Sequence, residues 1–314
     1  MATLFVPDQV PSAVEDAEMI RNAVKGWGTD EKTLISVLAH RNAAQRKQIR
    51  QAYEELYGEN LIKRLETEIS GNFEKAMYRW LLDPIDREAV LAHVALKNGD
   101  YSVIVETATV LSPDELLEVK RAYQFRYKRS LEEDVATNTS GDIRKLLVAL
   151  VGVYKYNGVE IDARVAKHEA TVLNDMITGK AFNHEELIRI LSTRSKEQLR
   201  ATFNNFREDH GNNITKRIVG DPADEYLAAL RTTVRCLRDP MKYFVKVLGS
   251  AIKRAGSDED ALTRIVVTHA EKDLDEIKEK YYKRYSASVD QDVAKETSGH
   301  YKGFLLALLG SEKH

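Results

Sequence analysis

The sequence has almost no excess of either charge sign. It contains 47 lysine and arginine residues against 49 aspartate and glutamate residues, so its formal net charge is −2. A chain with this balance has no overall electrostatic attraction for nucleic acid or for an anionic membrane. We therefore expect no nucleic acid partner, and an anionic membrane would need positive charge from another source.

Cysteine is almost absent. The single cysteine, Cys236, excludes an intramolecular disulfide, which is typical of a reducing compartment. Cys236 lies beside Arg235 and near Arg238, and neighbouring cations lower the pKa of an exposed thiol and raise its reactivity. Cys236 is thus a candidate redox residue, and burial on an apolar helix face is the alternative interpretation.

Long apolar segments are also missing. No stretch approaches the roughly 20 apolar residues that a membrane-spanning helix needs. The amino-terminal residues 1–12 contain no basic region, and Pro7 and Pro11 interrupt their short apolar run, so they do not resemble a secretory signal. We expect a cytoplasmic protein.

Proline is scarce, with 6 residues in 314, whereas good helix formers are frequent. Leu34, Ile35 and Leu38 fall on one face of a helix, and Thr29 is the expected N-cap of that helix. The same periodicity recurs further along the chain. Composition and pattern together predict an all-α fold.

One segment of the chain is repeated four times. Displacing the first repeat by 70 or by 228 positions places its apolar and turn residues on equivalent residues of a second and a fourth repeat, as with Tyr53, Tyr123 and Tyr281. A third, more divergent repeat is found at a displacement of 153. The longest spacing contains a polar segment, residues 156–164, that we interpret as a linker. Each repeat has room for four or five helices.

A glycine loop and a distant acid recur together in two of the four repeats. In the first repeat, Glu68 lies forty positions after Gly28 of the sequence Gly-Trp-Gly-Thr. In the fourth repeat, Glu296 lies forty positions after Gly256. The second and third repeats do not keep this pair, so the fold does not require it, and a functional role is favoured.

This pairing is chemically suited to calcium. Ca²⁺ takes six to eight oxygen ligands at roughly 2.3–2.6 Å and accepts both carbonyls and carboxylates. A glycine turn can aim successive carbonyls at one point, and a bidentate carboxylate adds two oxygens and a negative charge. The predicted ligands are the carbonyls of Val24, Gly26 and Gly28 with the carboxylate of Glu68, and the carbonyls of Ile252, Arg254 and Gly256 with the carboxylate of Glu296.

A single carboxylate leaves each ion incompletely coordinated. Calcium alone should therefore bind weakly, at dissociation constants of about 10⁻⁴–10⁻³ M, and a lipid phosphate oxygen could complete the coordination. Calcium would then supply the positive charge that the composition lacks, bridging an acidic loop to an acidic membrane.

Tryptophan is rare, and the two residues receive opposite predictions. Trp27 has glycine on both sides, which favours an exposed position at the bilayer interface over a place in the core. Burying half of its ring there would contribute about 2–3 kcal/mol. Trp80 lies at helical spacing from Met77 and Leu81, so we expect it in the core.

Four repeats, with a Gly-x-Gly-Thr-Asp-Glu loop in the first that is followed by an acid before a Ser/Thr-Gly turn, resemble the annexin core, over residues 11–311. Trp27, and intact loops only in repeats 1 and 4, are similar to plant annexins. The resemblance implies five helices per repeat, a slightly curved disk, and calcium-dependent peripheral binding to anionic phospholipid without catalysis, with oligomers forming on the membrane. The implied repeats span residues 11–82, 83–155, 165–239 and 240–311.

The resemblance also assigns the calcium ligands named above, and Trp27, Lys25 and Arg254 are expected to contact the membrane. The sequence departs from the family at two points. Arg254 replaces the first loop glycine of repeat 4, where its carbonyl can still serve and its guanidinium can contact phosphate. Leu111 stands where repeats 1 and 3 have Arg41 and Arg194, so we predict no defined ion channel.

Other activities linked to plant annexins have weaker support. For a peroxidase, His40 is the residue to consider, and we expect it to have a surface or capping role. A nucleotide phosphatase would need a phosphate-binding loop, but the sequence before Lys180 has Asn174 where the first glycine belongs. The tripeptide 188–190, Ile-Arg-Ile, resembles a short actin-binding motif within an amphipathic helix. F-actin and a calcium-independent helical scaffold stay open as alternatives.

Overall fold

The structure is a computed structural model that describes residues 1–253 and 258–311. Across these residues the regular secondary structure consists of twenty α-helices and contains no strand, which confirms the predicted all-α fold. None of the described helices is both long and apolar enough to cross a bilayer.

The helices fall into four groups of five, as predicted. Repeat 1 comprises α1 (Ala13–Ala23), α2 (Glu31–Leu38), α3 (Ala43–Tyr57), α4 (Leu61–Glu68) and α5 (Gly71–Leu81). Repeat 2 comprises α6 (Pro84–Asn98), α7 (Tyr101–Val110), α8 (Pro113–Tyr127), α9 (Leu131–Asn138) and α10 (Gly141–Gly152). Repeat 3 comprises α11 (Ala163–Thr178), α12 (Glu185–Thr193), α13 (Lys196–His210), α14 (Ile214–Arg217) and α15 (Glu225–Arg238). Repeat 4 comprises α16 (Pro240–Lys253), α17 (Glu259–His269), α18 (Leu274–Tyr285), α19 (Val289–Glu296) and α20 (Gly299–Leu308).

Local sequence determines where many of these helices begin. Ser12 caps α1 by accepting a hydrogen bond from the backbone N–H of Glu15, and the Glu15 carboxylate accepts one from the backbone N–H of Ser12. This reciprocal arrangement satisfies two N–H groups that the helix itself leaves without acceptors. The same capping box opens α3, α8 and α9.

The chain divides into two compact units, residues 1–87 with 244–314 and residues 88–243. In the first unit, α2 and α5 of repeat 1 pack against α17 and α20 of repeat 4. In the second, α7 and α10 of repeat 2 pack against α12 and α15 of repeat 3. Both predicted glycine loops and both distant acids therefore belong to the first unit.

Trp80 lies in the core of the first unit, as predicted. Its side chain is fully buried, and its indole N–H donates to the carbonyl of Leu38 at 2.7 Å. The guanidinium carbon of Arg46 lies 3.6 Å from the centre of the Trp80 ring, and Arg46 also donates to the Glu271 carboxylate at 2.9 Å. Trp80 thus links helices of repeat 1, while Arg46 joins that cluster to repeat 4.

The amino-terminal segment also connects repeats 1 and 4. The backbone N–H groups of Thr3 and Leu4 donate to the carbonyl of Ala270, and the Thr3 hydroxyl donates to the carbonyl of Leu308 at 2.6 Å. The carbonyl of Phe5 lies 3.1 Å from Nδ1 of His40, whose ring is buried. The expected surface position of His40 is therefore wrong, because this segment covers it.

Candidate functional site

The loop between α1 and α2 is shaped by two glycines. The backbone N–H of Asp30 donates to the carbonyl of Ala23 at 2.9 Å and closes the loop. Inside it, Gly26 has φ +108° and Gly28 has φ +86°, backbone conformations that other residues adopt only with strain. These two glycines allow the chain to reverse within a few residues, so local sequence dictates the loop.

Trp27 is fully exposed between the two glycines. A large aromatic side chain on an exposed loop buries no apolar area within the protein, so its position is not explained by folding. Lys25 beside it is exposed as well. This arrangement agrees with the expectation that Trp27 is not a core residue.

Glu68 meets this loop from the end of α4. The Thr29 hydroxyl donates to Oε2 of Glu68 at 3.0 Å and lies 3.3 Å from the Glu68 carbonyl oxygen. Thr29 was expected to cap α2, and this is wrong. Asp30 is the N-cap, because its carboxylate accepts the backbone N–H of Thr33 at 3.1 Å. Thr29 is thereby free to join the loop to its distant acid.

Arg64 also contacts both parts of this site. Its Nη2 atom donates to the carbonyl oxygen of Val24 at 2.9 Å and lies 2.7 Å from Oε1 of Glu68. Sequence reasoning missed Arg64, since it considered only the glycines and the acid. A comparison of the repeats offers only a partial signal, because repeats 2 and 4 have Asp134 and Asp292 at this position whereas repeat 3 has an arginine.

These contacts provide a test of whether the site fits a cation. Among the described residues, no group of three or more His, Cys, Asp or Glu side chains could hold a metal ion. The predicted ligand set differs from such a group because it relies on main-chain carbonyls. Two of its members, the Val24 carbonyl and the Glu68 carboxylate, converge on one cationic nitrogen of Arg64. The oxygens of repeat 1 are therefore arranged to face positive charge.

Repeat 4 has a loop of the same length. The backbone N–H of Asp258 donates to the carbonyl of Ala251 at 2.9 Å, and this span of seven positions matches that from Ala23 to Asp30. Of the predicted ligands, Ile252 is a buried residue at the end of α16, whereas Arg254 and Gly256 lie outside the described residues.

Glu296 is the last residue of α19, as Glu68 is the last of α4. Its Oε1 atom lies 3.8 Å from Nζ of Lys295, and both side chains are substantially exposed. The acid of repeat 4 thus stands at the equivalent helix end, in a more open environment than Glu68.

Repeats 2 and 3 lack the pairing in space as well as in sequence. The repeat 2 loop is closed by a shorter span, with the backbone N–H of Asp100 donating to the carbonyl of Ala95 at 2.9 Å. Asn138 stands at the acid position and donates to the carbonyl of Asp134 in its own helix. In repeat 3, Asp221 accepts a hydrogen bond from the backbone N–H of Ala223. These side chains stabilise their own turns.

A groove of about 420 Å³ in the first unit is lined by both distant acids. Its lining is built from pairs of residues that are 228 positions apart, including Glu68 with Glu296 and Glu31 with Glu259. Nε2 of His300 lies 3.7 Å from the Glu31 carboxylate. The sequence shows that Glu68 and Glu296 occupy equivalent positions of repeats 1 and 4, but it does not show that the two acids line one groove.

The remaining candidates lie elsewhere. Cys236 is buried, so the exposure that a redox role requires is not present, and the alternative interpretation describes it better. Ile188 and Ile190 are buried in α12, and Arg189 forms an ion pair with Glu186 at 2.5 Å. Arg189 also pairs with Glu169 of α11 at 3.3 Å, so all three residues of the tripeptide that resembles an actin-binding motif have contacts within the protein.

Comparison with known proteins agrees with the repeated architecture. The family model for annexin matches residues 15–80, 88–150, 168–230 and 243–308. Annexin-like protein RJ4 of Fragaria ananassa is 61% identical over 314 residues, covering 99% of this chain and 100% of that protein.

Solved structures show the same fold. Chicken annexin V aligns with a TM-score of 0.90 at 32% identity, covering 98% of each chain. Calcium-bound annexin (Sm)1 aligns with a TM-score of 0.80 at 26% identity, covering 99% of this chain and 93% of that one.

Proposed function

Because this chain belongs to the annexin family and is most like its plant members, we propose that it binds acidic phospholipid membranes in a calcium-dependent manner. The loops of repeats 1 and 4 would hold the calcium ions. The protein would be cytoplasmic, would associate peripherally when calcium rises, and would perform no catalysis. Oligomers could form on the membrane surface.

One observation carries this proposal. The carbonyl of Val24 and the carboxylate of Glu68, forty-four positions apart in sequence, approach one cationic atom beside the Gly26–Gly28 turn. Carbonyl and carboxylate oxygens are the ligands that Ca²⁺ prefers. With the carbonyls of Gly26 and Gly28, they would form the repeat 1 site. Calcium bound there would offer its remaining positions to phosphate oxygens of lipid.

The repeat 4 site would use the same plan, with the carbonyls of Ile252, Arg254 and Gly256 and the carboxylate of Glu296. Its support is the matching loop length, closed between Ala251 and Asp258. The Arg254 side chain would add a direct contact to phosphate.

Trp27 would strengthen the attachment. Its ring is fully exposed beside the proposed ion and can enter the interfacial region of the bilayer with its N–H still hydrated. Lys25 adds a positive charge on the same loop. Since the net charge of the chain is −2, these local features and calcium itself would supply the attraction to an anionic surface.

Vesicle co-sedimentation across a calcium titration tests the proposal. Vesicles containing phosphatidylserine should retain the protein in calcium and release it in chelator, while pure phosphatidylcholine vesicles should retain little. Glu68→Gln and Glu296→Gln should each weaken retention, and the double variant should abolish it. Glu66→Gln is a matched control, because Glu66 is an exposed acid of the same helix as Glu68. Retention that is unchanged in chelator would contradict the proposal and favour a calcium-independent scaffold.

A further inference from the structure

We propose that Arg64 is a tethered cation that competes with calcium for the repeat 1 site and sets the calcium concentration at which that site fills. This inference rests on the proposed function, since it concerns the same site. It adds a residue that neither the glycine loop nor the distant acid reveals.

The geometry of one nitrogen atom carries the argument. Nη2 of Arg64 contacts the Val24 carbonyl oxygen at 2.9 Å and Oε1 of Glu68 at 2.7 Å. A calcium ion that ligates both oxygens would lie between them at roughly 2.3–2.6 Å from each, which is the region that Nη2 occupies. Two cations cannot share this region, so calcium and the guanidinium must exclude each other.

The other contacts of Glu68 are compatible with calcium. Thr29 donates to Oε2 of Glu68, and a carboxylate oxygen has a second lone pair available when it accepts one hydrogen bond. Bidentate coordination by Glu68 therefore requires the departure of Arg64 from Oε1 but not the departure of Thr29. Thr29 would keep the carboxylate oriented while the cations exchange.

Arg64 makes two contacts in the site, yet its side chain stays partly exposed to solvent. Its side chain is 31% exposed, and the Glu68 side chain is 19% exposed. Nε of Arg64 is buried and has no hydrogen-bond partner among the described residues. Leaving a buried donor unsatisfied costs free energy, so the unpaired Nε partly offsets the stabilisation from the two contacts of Nη2. The long arginine side chain can reach solvent without moving α4.

Repeats 2 and 4 indicate that the fold does not need an arginine here, although repeat 3 also has an arginine at the equivalent position. At the equivalent position of repeat 4, Asp292 accepts a hydrogen bond from the Tyr281 hydroxyl at 2.7 Å. In repeat 2, Asp134 accepts one from the Tyr123 hydroxyl at 2.6 Å. Both acids thus stabilise their own helical repeat, whereas Arg64 reaches the loop.

A purely structural role for Arg64 predicts a different result. Arg64 and Glu68 are four positions apart on α4, a spacing at which opposite charges stabilise a helix by a few tenths of a kcal/mol. If that were the whole role, removing Arg64 would loosen α4 and the carboxylate at its end, so calcium affinity would fall. Competition predicts the reverse, because removal of the competing cation raises calcium affinity.

The test isolates repeat 1 by placing every variant in a Glu296→Gln background. Terbium(III) serves as the calcium probe, because its luminescence is sensitised by a nearby indole and Trp27 lies on the loop; displacement of terbium by calcium then gives the calcium affinity. Phosphatidylserine vesicle sedimentation provides a second readout. Arg64→Met keeps much of the apolar stem, and Arg64→Ala removes it. Lys63→Ala is the matched control, since Lys63 is an exposed cation one position away.

Both Arg64 variants should lower the calcium concentration for half-saturation by about fivefold to tenfold. Lys63→Ala should change it by less than about twofold, since an exposed charge is largely screened. An unchanged or increased calcium requirement in both Arg64 variants, with their thermal unfolding intact, would overturn this inference alone. Absence of calcium-dependent signal in every variant of the series would overturn the proposed repeat 1 site, and the inference with it.

Discussion

The hydroxyl of Thr29 donates to the carboxylate of Glu68 at 3.0 Å, across 39 positions of sequence. This hydrogen bond links the loop after α1 to the end of α4, and we expect it to orient the acid. Substituting Thr29→Val removes the hydroxyl with little change in shape. We expect it to raise the calcium concentration for half-maximal vesicle binding by about threefold to tenfold, the effect of losing one charge-assisted hydrogen bond.

The control for this prediction is Thr67→Val. Thr67 lies on the same helix as Glu68, and its hydroxyl donates to the carbonyl of Arg64 in that helix. Calcium titrations of the two valine variants should therefore differ. Equal behaviour would mean that the hydrogen bond between Thr29 and Glu68 does not orient the acid.

Gly28 should be intolerant of any side chain. An added Cβ would meet no atom within 4 Å, so the cost of Gly28→Ala arises from φ +86° alone. We expect Gly28→Ala to destabilise the loop conformation by about 1–2 kcal/mol and to weaken calcium binding correspondingly. Gly152→Ala, at the end of α10 in equally open space, should be neutral or stabilising. Denaturant unfolding and calcium titration of both variants check this.

The two tryptophans should respond to membranes differently. Trp27→Ala should leave the free energy of unfolding nearly unchanged and weaken binding to phosphatidylserine vesicles by about a hundredfold, because the ring is fully exposed. Trp80→Ala should instead destabilise the protein by about 3–5 kcal/mol, because that ring is completely buried. In the wild type, vesicles with calcium should shift the emission of Trp27 to shorter wavelength, and Trp27→Ala should abolish this shift.

Lys155, in the second unit, should make the free energy of unfolding depend on pH. Its ammonium group is buried and donates to the Leu191 carbonyl at 2.7 Å. Burial, with a smaller contribution from the charge of Lys196, lowers the pKa of Lys155 to about 7. In the unfolded chain the pKa of lysine is about 10.4. The unfolded state therefore binds more protons between these values, so the free energy of unfolding should rise with pH from about 7 to 10.

Lys155→Met should remove this contribution and flatten the profile, by up to about 1.4 kcal/mol per pH unit. Lys145→Met is the control, because Lys145 is an exposed lysine of the same unit. Urea unfolding at several pH values measures both. A wild-type profile that is parallel to that of Lys155→Met would contradict the assignment.

Sequence predicted the architecture because the fold is repeated. Each repeat is an independent sample of one pattern, so the helical fold, its fourfold repetition and the buried Trp80 follow from periodicity and internal comparison, whereas the number of five helices per repeat came from the resemblance to annexins. The exposure of Trp27 follows from its two glycines. These features depend on residues near one another in sequence, where local propensity and spacing are informative.

Features that depend on distant contacts were predicted poorly. His40 is buried because the amino-terminal segment lies over it, and nothing within repeat 1 indicates this. Aspartate is a somewhat better N-cap than threonine, and Glu68 gives the Thr29 hydroxyl a hydrogen-bond partner away from α2. In the sequence, Arg64 looks like an ordinary surface residue of a helix. Its contact with Val24 emerges only when the loop and α4 are placed together.

The first compact unit joins segments from the two ends of the sequence, residues 1–87 and 244–314, whereas the second is continuous. During synthesis on the ribosome, residues 88–243 can therefore complete their core before the helices of repeat 4 have emerged. Until then, repeat 1 lacks the helices against which it packs. The amino-terminal segment must wait for Ala270 and Leu308 before its hydrogen bonds can form. Closing so long a loop is slow and leaves the apolar faces of α2 and α5 uncovered in the meantime. Nascent chains of this protein should thus depend on chaperones until both halves of the first unit have been translated.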